Sequence, residues 1–132
     1  YGRQNTAINW AEDFVVKPTL GEPVYLPFSK KNTDSWIYVD DCAEQLVRLA
    51  LKNKLNFSSY NSGSQTVTGA ELEKTVKNIL PSAEIYFDEK KFSTPLIDDQ
   101  DDSRIRKEID FNPRSFADGV KSLITEVKNQ TI

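Results

Sequence analysis

Residues 34–50, DSWIYVDDCAEQLVRLA, change their hydrophobic period partway along a single run. Trp36 to Val39 is apolar and β-prone, whereas Ala43, Leu46, Val47, Ala50 and Leu51 recur at i, i+3, i+4, i+7 and i+8, the spacing of one helix face. A strand running directly into a helix of about 41–52, with its stripe turned inward, limits the chain to folds that mix the two elements. Asp40 and Asp41 stand at the junction. A carboxylate there accepts N–H groups at the helix start and complements its dipole, so Asp40 is expected to cap this helix.

The remaining segments repeat the alternation. Residues 6–17 place Ala7, Trp10, Ala11, Phe14 and Val15 on one helical face, with Asn5 as N-cap and with Pro18 and Gly21 closing the helix. PVYLP is a short strand bounded by prolines, which suits an edge position. SSYNSG, 58–63, reads as a strand running into a turn. Thr68-Gly-Ala-Glu71 matches the capping box and predicts a helix to Leu80 with Leu72, Val76, Ile79 and Leu80 inward. EIYF, 84–87, is another strand, and 102–109 a short helix. From an N-cap at Ser115 a last helix carries Phe116, Val120, Leu123, Ile124 and Val127 on one face. About five helices with three or four short strands make an α/β chain, and its 132 residues suit a single domain. So few strands suggest part of a larger architecture.

Several kinds of chemistry are excluded. The net charge of -3 opposes nucleic-acid binding, and the pairs Lys30-Lys31 and Lys90-Lys91 read as solvated loops. No histidine and one cysteine leave no zinc site and no nucleophile–histidine pair. A lone cysteine forms no internal disulfide, so a cytoplasmic setting is expected. No apolar run approaches the roughly 20 residues of a membrane span, so no membrane partner is expected. The start, YGRQNTA, has no signal-peptide core and the chain has no methionine, so it is expected not to begin where its gene begins. None of the five glycines forms GxGxxG or a P-loop.

Three local matches have simpler readings. Tyr86 and Lys90 have the Tyr-x-x-x-Lys spacing of short-chain dehydrogenases, but Tyr86 lies in an expected strand, where that spacing does not juxtapose the two side chains. DDQDD, 98–102, lacks the glycine turn and distal glutamate of an EF-hand and reads as a solvated loop leading into a helix. Cys42 reads as a small apolar filler, because two aspartates oppose thiolate formation.

In order, WIYVDDCAEQLVRLAL, YNSGSQTVTGAEL, LPSAEIYF and DDSRIRKEIDFNPRSFADGVKSLI resemble the C-terminal, substrate-binding part of an extended short-chain dehydrogenase/reductase, the NAD-dependent epimerase/dehydratase family. The resemblance covers essentially the whole chain. It implies a portion of a Rossmann-type NAD(P)-binding enzyme whose N-terminal part, with the glycine-rich turn and the catalytic Tyr and Lys, is absent here. NAD or NADP would be bound by the full-length parent and not by these residues alone. The implied substrate is a sugar or small hydroxy compound, and the implied partners are the chain's own N-terminal Rossmann portion and, in some settings, a second copy.

By the same resemblance Tyr1, Gly2 and Arg3 would lie near the nicotinamide, and Val24, Tyr25 and Leu26 would form the edge strand beside the substrate. Asp34 stands where nucleotide-sugar epimerases carry a diphosphate-binding arginine, two residues before Trp36. A second such contact is replaced around Thr94 to Asp98. Losing both cations disfavours a nucleotide-diphosphate sugar, leaving Arg3 and Arg104 as arginines able to meet an anion or to form surface ion pairs. The alternative is a non-catalytic sensor or interaction module on the same scaffold. A chain without its partner portion is also expected to expose an apolar patch around Trp10, Phe14 and Trp36.

Overall fold

The computed structural model describes residues 10–91 and 100–130, which carry five helices and four short strands in two compact units. Among the described residues, no helix is long and apolar enough to cross a membrane.

The first unit comprises 10–32, 68–91 and 120–130. Helix α1, Trp10–Thr19, buries Phe14, Val15 and Pro18. Contrary to expectation, Pro18 does not end it. In the last turn a proline forfeits only one ladder bond, and the stop comes at Gly21 (φ 79°). The Gly21 N–H donates to Pro18 O (3.1 Å) and that of Glu22 to Lys17 O (2.9 Å), the Schellman pattern.

Strand β1, Val24–Leu26, pairs in parallel with β4, Ile85–Phe87, placing Val24 opposite Ile85 and Tyr25 opposite Tyr86. The two strands form their own two-stranded sheet, which gives β1 the edge position its prolines require. Val24, Leu26 and Ile85 face the core, while Tyr25 and Tyr86 are exposed and stack at 5.0 Å. Phe28, following β1, is 2% exposed and packs edge-on against Trp10 (4.5 Å) and Phe87 (6.0 Å).

Helix α3, Gly69–Ile79, starts as the capping box predicts. The Glu71 N–H donates to Thr68 Oγ1 (3.2 Å), and the Thr68 N–H donates to Glu71 Oε2 (2.7 Å). The N–H groups of Gly69 and Ala70 donate to the carbonyls of Asn32 (2.9 Å) and Lys30 (3.0 Å). The four N–H groups that helix geometry leaves over, those of Thr68, Gly69, Ala70 and Glu71, are thus satisfied. The approach is close enough that a Cβ on Gly69 would lie 3.0 Å from Lys30 Cα, Ser29 O and the Phe87 ring. Leu72 and Val76 of α3 are buried, as are Val120, Ile124 and Val127 of α5, Phe116–Gln130.

The second unit comprises 33–67 and 100–119. Its strands are β2, Thr33–Trp36, and β3, Gln65–Thr68, which form one ladder. The sequence places both differently. The β-prone 36–39 run yields to helix from Val39, and 58–63 form no strand. That loop is tied down by side chains instead, since the Tyr60 hydroxyl donates to Glu108 Oε2 (2.9 Å) and Asn61 Nδ2 to Asp101 O (3.0 Å).

Glu108 closes α4, Ser103–Glu108, with its side chain wholly out of solvent contact. It also accepts the Asn56 N–H (3.1 Å) and pairs with Lys52 Nζ (3.4 Å). Burial by itself would raise its pKa. The Asn56 N–H, the Tyr60 hydroxyl and the Lys52 ammonium prevail and hold it below the ordinary carboxylate range. A carboxyl depressed in the folded state contributes stability that is present above its unfolded pKa and is lost as pH falls through the folded one. Glu108→Gln is therefore expected to be less stable at neutral pH and to show a flatter acid limb in urea midpoints measured against pH. A steeper acid limb in the variant would exclude this role.

Helix α2, Val39–Ala50, is turned opposite to its predicted orientation. Val39, Leu46, Val47 and Leu51 are 71%, 63%, 52% and 78% exposed, and Ala43 and Ala50 are exposed as well. Its buried residues are Asp41 and Gln45. The apolar patch expected around Trp10, Phe14 and Trp36 is not formed there. Phe14 is 3% exposed, Trp10 is half-buried against Phe28, and Trp36 is half-buried beside Phe116 (5.9 Å).

Candidate functional site

Tyr38 stands at the N-cap position of α2 in extended conformation (φ -70°, ψ 140°), and no side chain caps the helix. The expected cap at Asp40 is therefore not made. Asp40 and Asp41 occupy the first turn, where Asp40 points to solvent and Asp41 is 5% exposed.

Asp41 is held from the loop that follows Asn112-Pro113. The Arg114 backbone N–H donates to Oδ2 (2.8 Å), Nε lies 3.1 and 3.0 Å from the two carboxylate oxygens, and the pair closes through Nη2 to Oδ1 (3.0 Å). The guanidinium also lies over the Tyr38 ring, 4.2 Å from its centroid. Its pKa is raised, first by the hydrogen bond to Asp41. This clamp joins residues 73 apart in sequence.

Next to it lies a cavity of about 220 Å³. Trp36 supplies an aromatic wall, Ser64, Gln65 and Ser115 supply polar groups, and Arg106 and Arg114 bring two guanidiniums. Ser64 is tied to Ser35 (Oγ to Oγ 3.0 Å), Gln65 Oε1 accepts the Phe116 N–H (2.5 Å), and Ser115 Oγ donates to Asp118 (2.5 Å). Gly63 completes the wall because of close approach. A Cβ there would meet Gln45 Nε2 at 3.0 Å. Gln45 Oε1 is buried with no hydrogen-bond partner among the described residues.

The charges of the cavity are balanced within the protein. Arg106 donates from Nε to Asp102 Oδ2 (2.7 Å) and from Nη1 to Asn112 Oδ1 (3.1 Å), and the Asp102 bond raises its pKa. Arg114 is engaged by Asp41. Each guanidinium is thus already neutralised by a carboxylate, which weakens its attraction for an entering anion, whereas a neutral hydroxy compound needs no such cation. Asp101 Oδ1 accepts the Ser103 N–H (2.9 Å), so the described part of the 98–102 cluster supports the start of α4. Among the described residues no group of carboxylates and cysteine is arranged to hold a metal ion.

Of the residues expected at a site, Tyr1, Gly2 and Arg3 lie outside the described residues, as do those around Thr94 to Asp98. Val24 and Leu26 have core side chains and only Tyr25 of that strand is exposed. Asp34 is half-buried, and its carboxylate accepts the adjoining Ser35 N–H (2.8 Å). Trp36 lines the cavity, whereas Arg104 lies over the Phe57 ring (5.2 Å). The sequence assigns no site role to Arg106, Arg114, Ser64 or Gln65, and to Ser115 only that of an N-cap, which it fills by accepting the Asp118 N–H (3.1 Å). Ser64, Gln65 and Arg114 take their places through partners distant in sequence, whereas Arg106 is held by Asp102 and Asn112 and Ser115 by Asp118, all within six residues.

The fold is the α/β fold that dehydrogenases and epimerases of the short-chain type carry in their C-terminal portion. A GalE-like L-threonine dehydrogenase from Cupriavidus necator in its apo form superposes with a TM-score of 0.80 at 17% identity, over 96% of this chain and 48% of that one. UDP-glucuronic acid 4-epimerase from Bacillus cereus, in complex with UDP-glucuronic acid and NAD, matches with a TM-score of 0.73 at 20% identity, over 98% and 43%. A partial consensus L-threonine 3-dehydrogenase matches at 0.76 and 18%, over 89% and 41%. The chain thus spans less than half the length of these proteins. No family model and no curated protein matches the sequence.

Proposed function

We propose that this chain is the substrate-binding portion of an NAD(P)-dependent dehydrogenase or epimerase acting on a small hydroxy compound or sugar in the cytoplasm. The observation that carries the reading is the superposition itself, nearly complete over this chain and confined to 48% of the C. necator threonine dehydrogenase. The glycine-rich turn and the Tyr-x-x-x-Lys helix that hydride transfer requires would lie in the complementary portion, so these residues alone bind no dinucleotide and turn nothing over.

Of the two substrates named with the similar structures, L-threonine and UDP-glucuronic acid, the first is the better model. Asp34 replaces a cation that a diphosphate would need, and Arg106 and Arg114 are each held by an internal carboxylate. Trp36 would offer an apolar face to the substrate, Tyr25 the exposed residue of its edge strand, and Arg104 a peripheral cation. Val24 and Leu26 would hold that strand from the core side. Tyr1, Gly2 and Arg3 would approach the nicotinamide.

NADH fluorescence titration tests the assignment. The 132-residue chain is expected to give no enhancement, and the chain prolonged through its upstream coding sequence is expected to bind NADH and to reduce NAD(P) with a small hydroxy substrate in preference to a UDP-sugar. NADH binding by the 132 residues alone would overturn the division of labour, and preference for the UDP-sugar would overturn the substrate class.

A further inference from the structure

Gln45 is the second buried polar residue of helix α2, one turn after Asp41 on the same inward face. Asp41 has its partner in Arg114. Gln45, 3% exposed, keeps an Oε1 that no hydrogen bond reaches among the described residues. A buried acceptor in this condition is rare, because its lost hydration goes uncompensated, and it calls for a donor from elsewhere. The Gln45 amide borders the cavity of the second unit. A Cβ on Gly63 would stand 3.0 Å from Gln45 Nε2 and 3.4 Å from Pro113 Cγ, and Gly63 and Pro113 both line the cavity.

We infer that the cavity binds a short uncharged polyol and that Gln45 selects it, its Oε1 accepting a hydrogen bond from one ligand hydroxyl. The inference narrows the substrate class of the functional reading above and rests on that reading only in taking the ligand for the substrate. Size, charge and polarity all restrict the ligand to this class. About 220 Å³ lies below the roughly 300–1,000 Å³ of pockets that take drug-sized molecules, so a nucleotide sugar is too large and a short carbon chain is not. Arg106 and Arg114 are already neutralised by Asp102 and Asp41, and a ligand carboxylate would bring no donor for Gln45. Gln65, whose Oε1 accepts the Phe116 N–H, retains its Nε2 as a donor, so the ligand has both to donate and to accept. A hydroxyl does both. Trp36 and Pro113 offer apolar surface to the C–H groups between the hydroxyls.

Erythritol and its carboxylate counterpart erythronate serve as probes, read through the indole N–H resonances of the 132-residue chain. Trp36 lines the cavity, whereas Trp10 belongs to the first unit and reports any general solvent effect. Trp10→Phe assigns the two signals. Erythritol is expected to shift the Trp36 resonance saturably while that of Trp10 stays in place, and erythronate is expected to bind more weakly. Gln45→Met, close in volume, should weaken erythritol binding about tenfold, the loss of one hydrogen bond to a buried acceptor. It should leave the melting temperature of the ligand-free chain unchanged or higher, because the atom it removes is unpaired. Gln45→Asn, which draws the amide back by one methylene, makes the same comparison should Gln45→Met fail to fold.

An unshifted Trp36 resonance, equal affinity in the parent chain and the Gln45 variant, or tighter binding of erythronate would each overturn the inference. NADH binding by the chain prolonged through its upstream coding sequence would leave the functional reading standing in all three cases. Erythritol binding by the 132 residues, with no NADH bound by the longer chain, would support the cavity ligand and sink the functional reading.

Discussion

Arg114→Met is expected to destabilise the protein by about 3 kcal/mol, near the lower bound measured when one partner of a buried ion pair is removed. The asymmetry of exposure sets the size. The Asp41 side chain is 7% exposed and that of Arg114 33%, so the arginine can be hydrated without its partner and the aspartate cannot. Removing the guanidinium leaves a carboxylate in the interior with only the Arg114 backbone N–H from this partner. Removing the carboxylate is milder, and Asp41→Asn is expected to cost about 1–2 kcal/mol because Arg114 keeps its contact with water. The double variant should lose less than the sum, the coupling that a cycle of contacting residues displays. Urea denaturation at neutral pH measures all three, and a loss below about 0.5 kcal/mol for Arg114→Met would class the pair with surface ion pairs.

Phe28→Ala is expected to cost about 4 kcal/mol, within the range for emptying a buried aromatic site. Phe28 is 2% exposed and bridges Trp10 of α1 and Phe87 of β4, so truncation removes transfer free energy, opens a void and abolishes two edge-on ring contacts. The void cannot readily collapse. The loop behind it is fixed by the Lys30 and Asn32 carbonyls that receive the first N–H groups of α3, and Gly69 already sits in close contact there. A fall in melting temperature of roughly 15 °C corresponds to that loss for a chain of this size. Phe28→Leu, which retains most of the volume, should fall much less. Equal losses for the two variants would show that the aromatic contacts, and not the void, dominate.

Elements whose cause is local were legible before the structure. The capping box at Thr68, the Gly21 stop after α1, the edge strand between Pro23 and Pro27, and the buried face of α5 at Val120, Ile124 and Val127 each rest on neighbouring residues or a short period. The errors were of another kind. Residues 36–39 are β-prone by composition, yet Val39 opens a helix, because the side chain of Asp41 in the first turn is captured by Arg114 from far along the chain. Residues 58–63 lack a strand because Glu108 and Asp101 hold that loop through its side chains. The cavity was illegible for the same reason. Trp36 stands out as the aromatic of the WIYVDDCA run, but Ser64 and Arg114 have partners far along the chain, and only their convergence with it makes a site.

By itself the sequence determined the class of element at most positions and the presence in α2 of one apolar and one polar face. Periodicity is a property of a single element and contains no reference to what stands beside it. Which face of α2 turns inward was decided only in three dimensions, where burying Asp41 is tolerable because Arg114 supplies its charge and hydrogen bonds.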